Sequence, residues 1–154
     1  MYFWKIEELK EDIKTDNFAE KDRFIYAFIY LALSAIGMEA MMHMPIENPN
    51  IWDTINSIGN IVIPVVGTFC AYKSNGASNG TDFLGRFFSI NFVIVIRFMT
   101  LLIPMFIALF IYYIYAFPGE EEIVSTPMDI IPFQIWFAFL YVRTCKHIGD
   151  VKNS

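Results

Sequence analysis

Apolar residues along the chain gather into long runs parted by short polar joints, and their spacing predicts helices throughout. The first is short. Tyr2, Ile6, Leu9 and Ile13 recur at i, i+4, i+7 and i+11, so residues 1–16 form an amphipathic helix with Glu7, Glu8, Lys10, Glu11 and Asp12 mostly on its other faces. Such a stripe can lie on a membrane surface, dock on a partner helix or pack on the protein's own flank.

Residues 17–44 form the first membrane span. Asn17 and Glu20 have capping-box spacing, and Lys21, Asp22 and Arg23 mark the membrane edge. Residues 24–42 then carry one charge, Glu39, before Pro45 and Pro49 break the helix. About 20 residues at 1.5 Å rise cross the roughly 30 Å hydrocarbon core. Residues 51–72 form the second span. It is the most polar, with Asp53, Asn56, Ser57 and Asn60 in its first half. Residues 73–81 make a loop with flexible-linker composition.

Residues 82–117 exceed what a bilayer needs. Counting about 20 residues back from Pro118 reaches Arg97. Residues 82–96 are then a surface helix leading into the third span, or the excess of a tilted one. Asp82, Arg86, Ser89 and Arg97 fall on one stripe, which favours the surface helix, and Pro104 is a candidate kink. Residues 129–145 form the fourth and weakest span, with a re-entrant helix as its rival, and residues 146–154 a polar tail. The expected fold is all-α: a polytopic membrane protein with four transmembrane helices and an N-terminal amphipathic helix.

Composition agrees. Of the 154 residues 56% are hydrophobic, and the mean hydropathy is +0.45, more apolar surface than so small a soluble domain can hide. The first residues are charged at once and lack the apolar core of a cleavable signal peptide.

Charge sets orientation. None of the eleven Lys and Arg residues lies between positions 24 and 72 or between 98 and 142. The positive-inside rule therefore places both termini and the 73–81 loop in the cytoplasm, and the two base-free loops outside. No Asn-x-Ser/Thr site falls in those outer loops, and the default location is a bacterial inner membrane. Cys70 and Cys145 sit near inner span ends and read as free thiols in a reducing compartment.

The candidate chemistry is sparse. Glu39, Glu47, Asp53, Glu120, Glu121, Glu122 and Asp129 make the outer side purely acidic, which would concentrate cations but also follows from the exclusion of bases. Asp53, Asn56 and Asn60 continue along one face of the second span, extended by Pro64 and Gly67. Such a stripe faces other helices, as packing glue or as an ion path. Arg97 is the one base embedded in apolar sequence, placed to snorkel to lipid phosphates or to pair with an acid. Met38, Met41, Met42 and Met44 flank Glu39 and His43, a weak thioether and imidazole set with no second cluster behind it. No nucleophile–base pair, HExxH, P-loop or GxGxxG occurs, so the reading is non-enzymatic, without cofactor or resident metal. An acidic chain without a basic aromatic surface gives no reason to expect nucleic acid.

Two classes remain. One is a small integral membrane protein acting through helix–helix interaction with a membrane-protein partner or itself: a complex subunit, or a toxin-immunity, defence or sensing protein. The other is a homo-oligomeric cation channel or transporter lined by the second span. Glu39, Asp53, Asn56, Asn60 and Arg97 are the candidate ion-path or interhelical polar residues in both. Residues 1–14 are expected to be dispensable for insertion but to matter for activity or partner docking.

Overall fold

The computed structural model describes residues 1–43, 49–116 and 124–152. Regular structure among them is entirely helical: α1 (Ile6–Lys14), α2 (Glu20–Met42), α3 (Ile51–Ser74), a 3-10 turn (Ala77–Asn79), α4 (Phe83–Ala116) and α5 (Pro127–Asp150). Pro64, Pro104 and Pro132 fall inside helices that continue through them.

α2, α3 and α4 are long and apolar enough to cross a membrane. Only 6%, 6% and 11% of the residues in their most apolar stretches are buried within the protein. Water is a poor solvent for such faces, and lipid or a partner must cover them.

The helix ends follow local rules, though not always the expected ones. Asn17 and Glu20 do not form a capping box. The N-cap of α2 is Ala19, and the Asn17 amide turns back to Thr15 Oγ1 at 3.0 Å. The real boxes open α3 and α5. Asn50 Oδ1 accepts from Trp52 and Asp53 N–H while Asp53 Oδ2 accepts from Asn50 N–H at 2.8 Å. At α5 the Thr126 N–H donates to Asp129 Oδ2 at 2.8 Å, with Pro127 supplying the preset φ of a first helical residue. Ser125 joins the two boxes: its hydroxyl donates to Asp53 Oδ1 at 2.6 Å and its carbonyl accepts from Asn50 Nδ2 at 2.8 Å.

That link aligns α3 and α5. They run parallel and pack closely, with Gln134 against Gly59 and Tyr141 against Gly67. Small residues on α3 allow the approach. α5 is antiparallel to α4: Phe106 meets Phe133, Phe98 meets Trp136, and Asn91 Oδ1 accepts from the Thr144 hydroxyl at 3.1 Å. α2 packs on α4 from the same starting end, where Arg23 lies 3.2 Å from Asp82. α2 and α3, neighbours in sequence, scarcely touch.

α4 is one uninterrupted helix with no boundary at Arg97. Its first part is no surface helix. Arg86, Phe87 and residues 89–94 are buried, making this the best-covered stretch of the chain. α1 supplies part of the cover. Ile6, Leu9 and Ile13 are buried in one core with Phe87, Ile90, Phe92 and Val93, so the amphipathic stripe packs on the protein's own flank.

Polar contacts fix α1 in place. Lys10 Nζ is 2.9 Å from Asp150 Oδ2 on the last turn of α5 and 2.8 Å from Glu7 Oε2. The Lys10 ammonium lowers the pKa of both carboxyls, chiefly by hydrogen bonding. Burial disfavours the Lys10 charge, yet the two carboxylates outweigh it and its pKa rises. The Tyr2 hydroxyl donates to Asp12 Oδ2 at 2.5 Å, which pushes its pKa up to about 12.

The 73–81 segment is ordered despite its composition. Gly76 takes the left-handed conformation just after α3, with φ 102°. Asn75, fully buried, donates to the Thr81 carbonyl at 3.0 Å and accepts from Arg86 Nη1 at 3.2 Å. The basic residues therefore collect around α1, the starts of α2 and α4, and the ends of α3 and α5.

Candidate functional site

Because α2 and α3 stand apart, the bundle holds a cleft between them, backed by α4 and α5. Its volume is about 500 Å³. Tyr30, Leu33 and Ser34 form the α2 wall, and Asn56 and Asn60 the α3 wall. Phe98, Met99 and Leu102 of α4 with Phe133 and Trp136 of α5 make most of the apolar back.

Gln134 lies at the centre of the polar patch. Its Nε2 donates to Asn56 Oδ1 at 2.6 Å, to the Asn56 carbonyl at 3.2 Å and to Asn60 Oδ1 at 3.1 Å. Its own Oε1 is buried against Gly59 without a donor among the described residues. The amide nitrogens of Asn56 and Asn60 meet no acceptor among them, and the buried Trp136 Nε1 has none either. The side-chain oxygens of Asn56 and Asn60 are thus occupied and their N–H donors left over, while the one acceptor left over, Gln134 Oε1, is turned onto Gly59. A cleft of this chemistry suits an apolar body carrying a hydrogen-bond acceptor.

The five candidate residues separate. Asn56 and Asn60 share the cleft. Asp53 does not: it is buried in the α3 cap, where the Ser125 hydroxyl and Asn50 N–H satisfy it. Glu39 is 70% exposed on α2 and pairs with the similarly exposed His43 at 3.1 Å rather than with Asp53. Arg97 meets the Trp4 carbonyl, at the opposite end from Glu39. Met38, Met41 and Met42 are exposed around the Glu39–His43 pair. Met44, Glu47 and Glu120 to Glu122 lie outside the described residues. No group of three metal-ligating side chains occurs among the described residues, and both cysteines are free thiols.

Sequence reasoning missed Gln134. The signal was present: a lone amide in the apolar run IIPFQIWF is as anomalous as Asn60. It missed also Ser125 and the Asn50 and Thr126 boxes, although both boxes match the local x-x-Asp spacing.

The chain matches no protein family, no curated protein and no solved structure, so what it does must be argued from this geometry alone.

Proposed function

We propose that this chain is a four-span, non-enzymatic protein of a bacterial inner membrane, with cytoplasmic termini, that acts by receiving a transmembrane helix in the cleft between α2 and α3. The helix belongs to a partner membrane protein or to a second copy. The observation that carries the reading is the pair of unoccupied amide donors, on Asn56 and Asn60, in an otherwise apolar opening between helices that do not meet. A polar group at membrane depth favours a protein neighbour over hydrocarbon.

α5 completes the span count. It is less apolar than the other long helices, but it lies parallel to α3 and in register with it from Ser125 to Cys145. A helix matched end to end with a span occupies the same depth, and its last turn, with His147 and Asp150, lies level with α1. The basic pole supports a cytoplasmic α1.

The channel reading is weaker on the same geometry. Cations need several oxygen ligands, whereas the Asn56 and Asn60 side-chain oxygens already accept from Gln134 and Gln134 Oε1 is buried against Gly59. The acid at Glu39 is exposed and paired with His43, and that at Asp53 is consumed by a helix cap.

The test is photocrosslinking from Leu33 in native membranes, on the wild type and on Asn56→Leu/Asn60→Leu. Membrane hydrogen bonds average about 0.6 kcal/mol, so the double variant stays folded. The reading expects a discrete crosslink that the folded double variant loses. Lipid-only adducts in the wild type exclude it, and a cation current abolished by the same variant would restore the channel.

A further inference from the structure

A second groove along the α4/α5 pair, which shares Phe98 and Trp136 with the first, has different chemistry. Arg97 stands where the buried half of α4 gives way to its exposed apolar half, which begins with Met99, Leu101 and Ile103. α5 runs the other way, and Arg143 stands about one turn from the level of Arg97, because Thr144 meets Asn91 and Phe139 meets Phe98. Both arginines line one groove of about 500 Å³.

Trp4 belongs to the same groove. Its carbonyl accepts from Arg97 Nε at 2.8 Å and from Nη2, and its ring lies 5.5 Å from the guanidinium carbon. Phe98, Leu101 and Phe139 continue the groove along the apolar face. No carboxylate lines it. Among the described residues neither arginine has an ion-pair partner, and Arg97 Nη1 and the Arg143 guanidinium have no acceptor. Two guanidinium groups without anions, at the head of an apolar trough, complement a molecule with an anionic head and a hydrocarbon tail. Indole rings at the level of the charges fit the membrane–water interface.

We infer that this groove binds an anionic phospholipid, its phosphate held by Arg97 and Arg143 and an acyl chain lying along Phe98, Leu101 and Phe139. Arg97 uses one edge of its fork on Trp4, so the lipid and the chain's N-terminal segment share one anchor. The inference needs the chain to lie in a bilayer but is independent of what enters the α2/α3 cleft.

Full-length protein in mild detergent is titrated with phosphatidylglycerol or phosphatidylcholine, and retained lipid is counted by native mass spectrometry. The wild type is expected to prefer phosphatidylglycerol. About 1 kcal/mol per arginine near a membrane surface converts to a fall of about fivefold in that preference for Arg97→Gln and for Arg143→Gln. Lys146→Gln removes the same charge from exposed surface outside the groove and leaves the preference intact. Should Arg97→Gln loosen the Trp4 segment, Arg143→Gln carries the test, with far-ultraviolet circular dichroism as the fold control. Equal retention of both lipids by the wild type, or an equal loss in Lys146→Gln, overturns the inference. Displacement of phosphatidylglycerol by inorganic phosphate at matched concentration reassigns the groove to the free anion and overturns the lipid.

Discussion

A Cβ at Gly67 would lie 2.8 Å from the Tyr141 Cβ and closer still to Cγ and Cδ1. These are the near atoms of the tyrosine, which cannot swing aside as a flexible tip would, and Tyr141 is buried with its ring edge-on to Phe137 at 5.5 Å. Gly67→Ala must therefore push α3 from α5 or drive Tyr141 off its rotamer. Overpacking of this kind costs about 1–3 kcal/mol. The gain in helix propensity from glycine to alanine, about 1 kcal/mol, works against it. Gly37 on α2 is the control, since its Cβ would meet nothing within 4 Å and only the propensity gain applies. The difference between the two variants then isolates the steric cost at about 1–3 kcal/mol. Unfolding by SDS in mixed micelles, followed by circular dichroism, measures both. Tyr141→Ala in the Gly67→Ala background should recover part of the loss, as a double-mutant cycle for touching residues requires. Gly67→Ala as stable as Gly37→Ala would show that the two helices do not pack at this distance.

Three further outcomes follow from other parts of the molecule. The lowered pKa values of Glu7 and Asp150 mean that they stabilise α1 docking above their ordinary values of 4.5 and 3.8, a contribution lost as pH falls through and below that range. Protection factors of residues 6–14, taken relative to the intrinsic exchange rate at each pH, should fall below about pH 4 while those of α3 hold, and pH-independent protection factors would remove the Lys10 anchor. Leu9→Ala, at a fully buried position, should cost α1 docking about 2–5 kcal/mol and open the 15–19 linker to protease without loss of membrane insertion. In a cysteine-free background, an impermeant thiol reagent on intact cells should label Asn48→Cys and Glu121→Cys but not Ala77→Cys; labelling at 77 would invert the orientation.

The helices were legible because hydrophobic periodicity is local. α3 begins at Ile51 as expected, and α4 at Phe83 differs by one residue from the expected 82. The errors arise where partners are distant in sequence. Residues 82–96 read as a surface helix because Asp82, Arg86, Ser89 and Arg97 make a polar stripe, and nothing local says that Asn75 and Thr144 wait to receive Arg86 and Asn91. α5 continues through Lys146 to Asp150 for the same reason: its last turn faces α1, so lipid-based hydropathy stops too early there. Of the site, Asn56 and Asn60 were visible as a stripe. Their partner Gln134 needed the register of α3 on α5, which Ser125 and the two caps set and no single segment contains.

The amide bridge also has a timetable. Asn60 and Gln134 are separated by 74 residues, and chains are made at about 5–20 residues per second. For roughly 4–15 s after α3 is synthesised its polar face has no Gln134 to meet, while a helix and a loop close far faster once both parts exist. During that interval Asn56 and Asn60 must be tolerated in lipid or kept at a wet or proteinaceous lateral gate. Assembly is therefore paced by the ribosome, and the arrival of α5 is the event that joins α3 to the α2/α4 pair, which α3 scarcely touches otherwise.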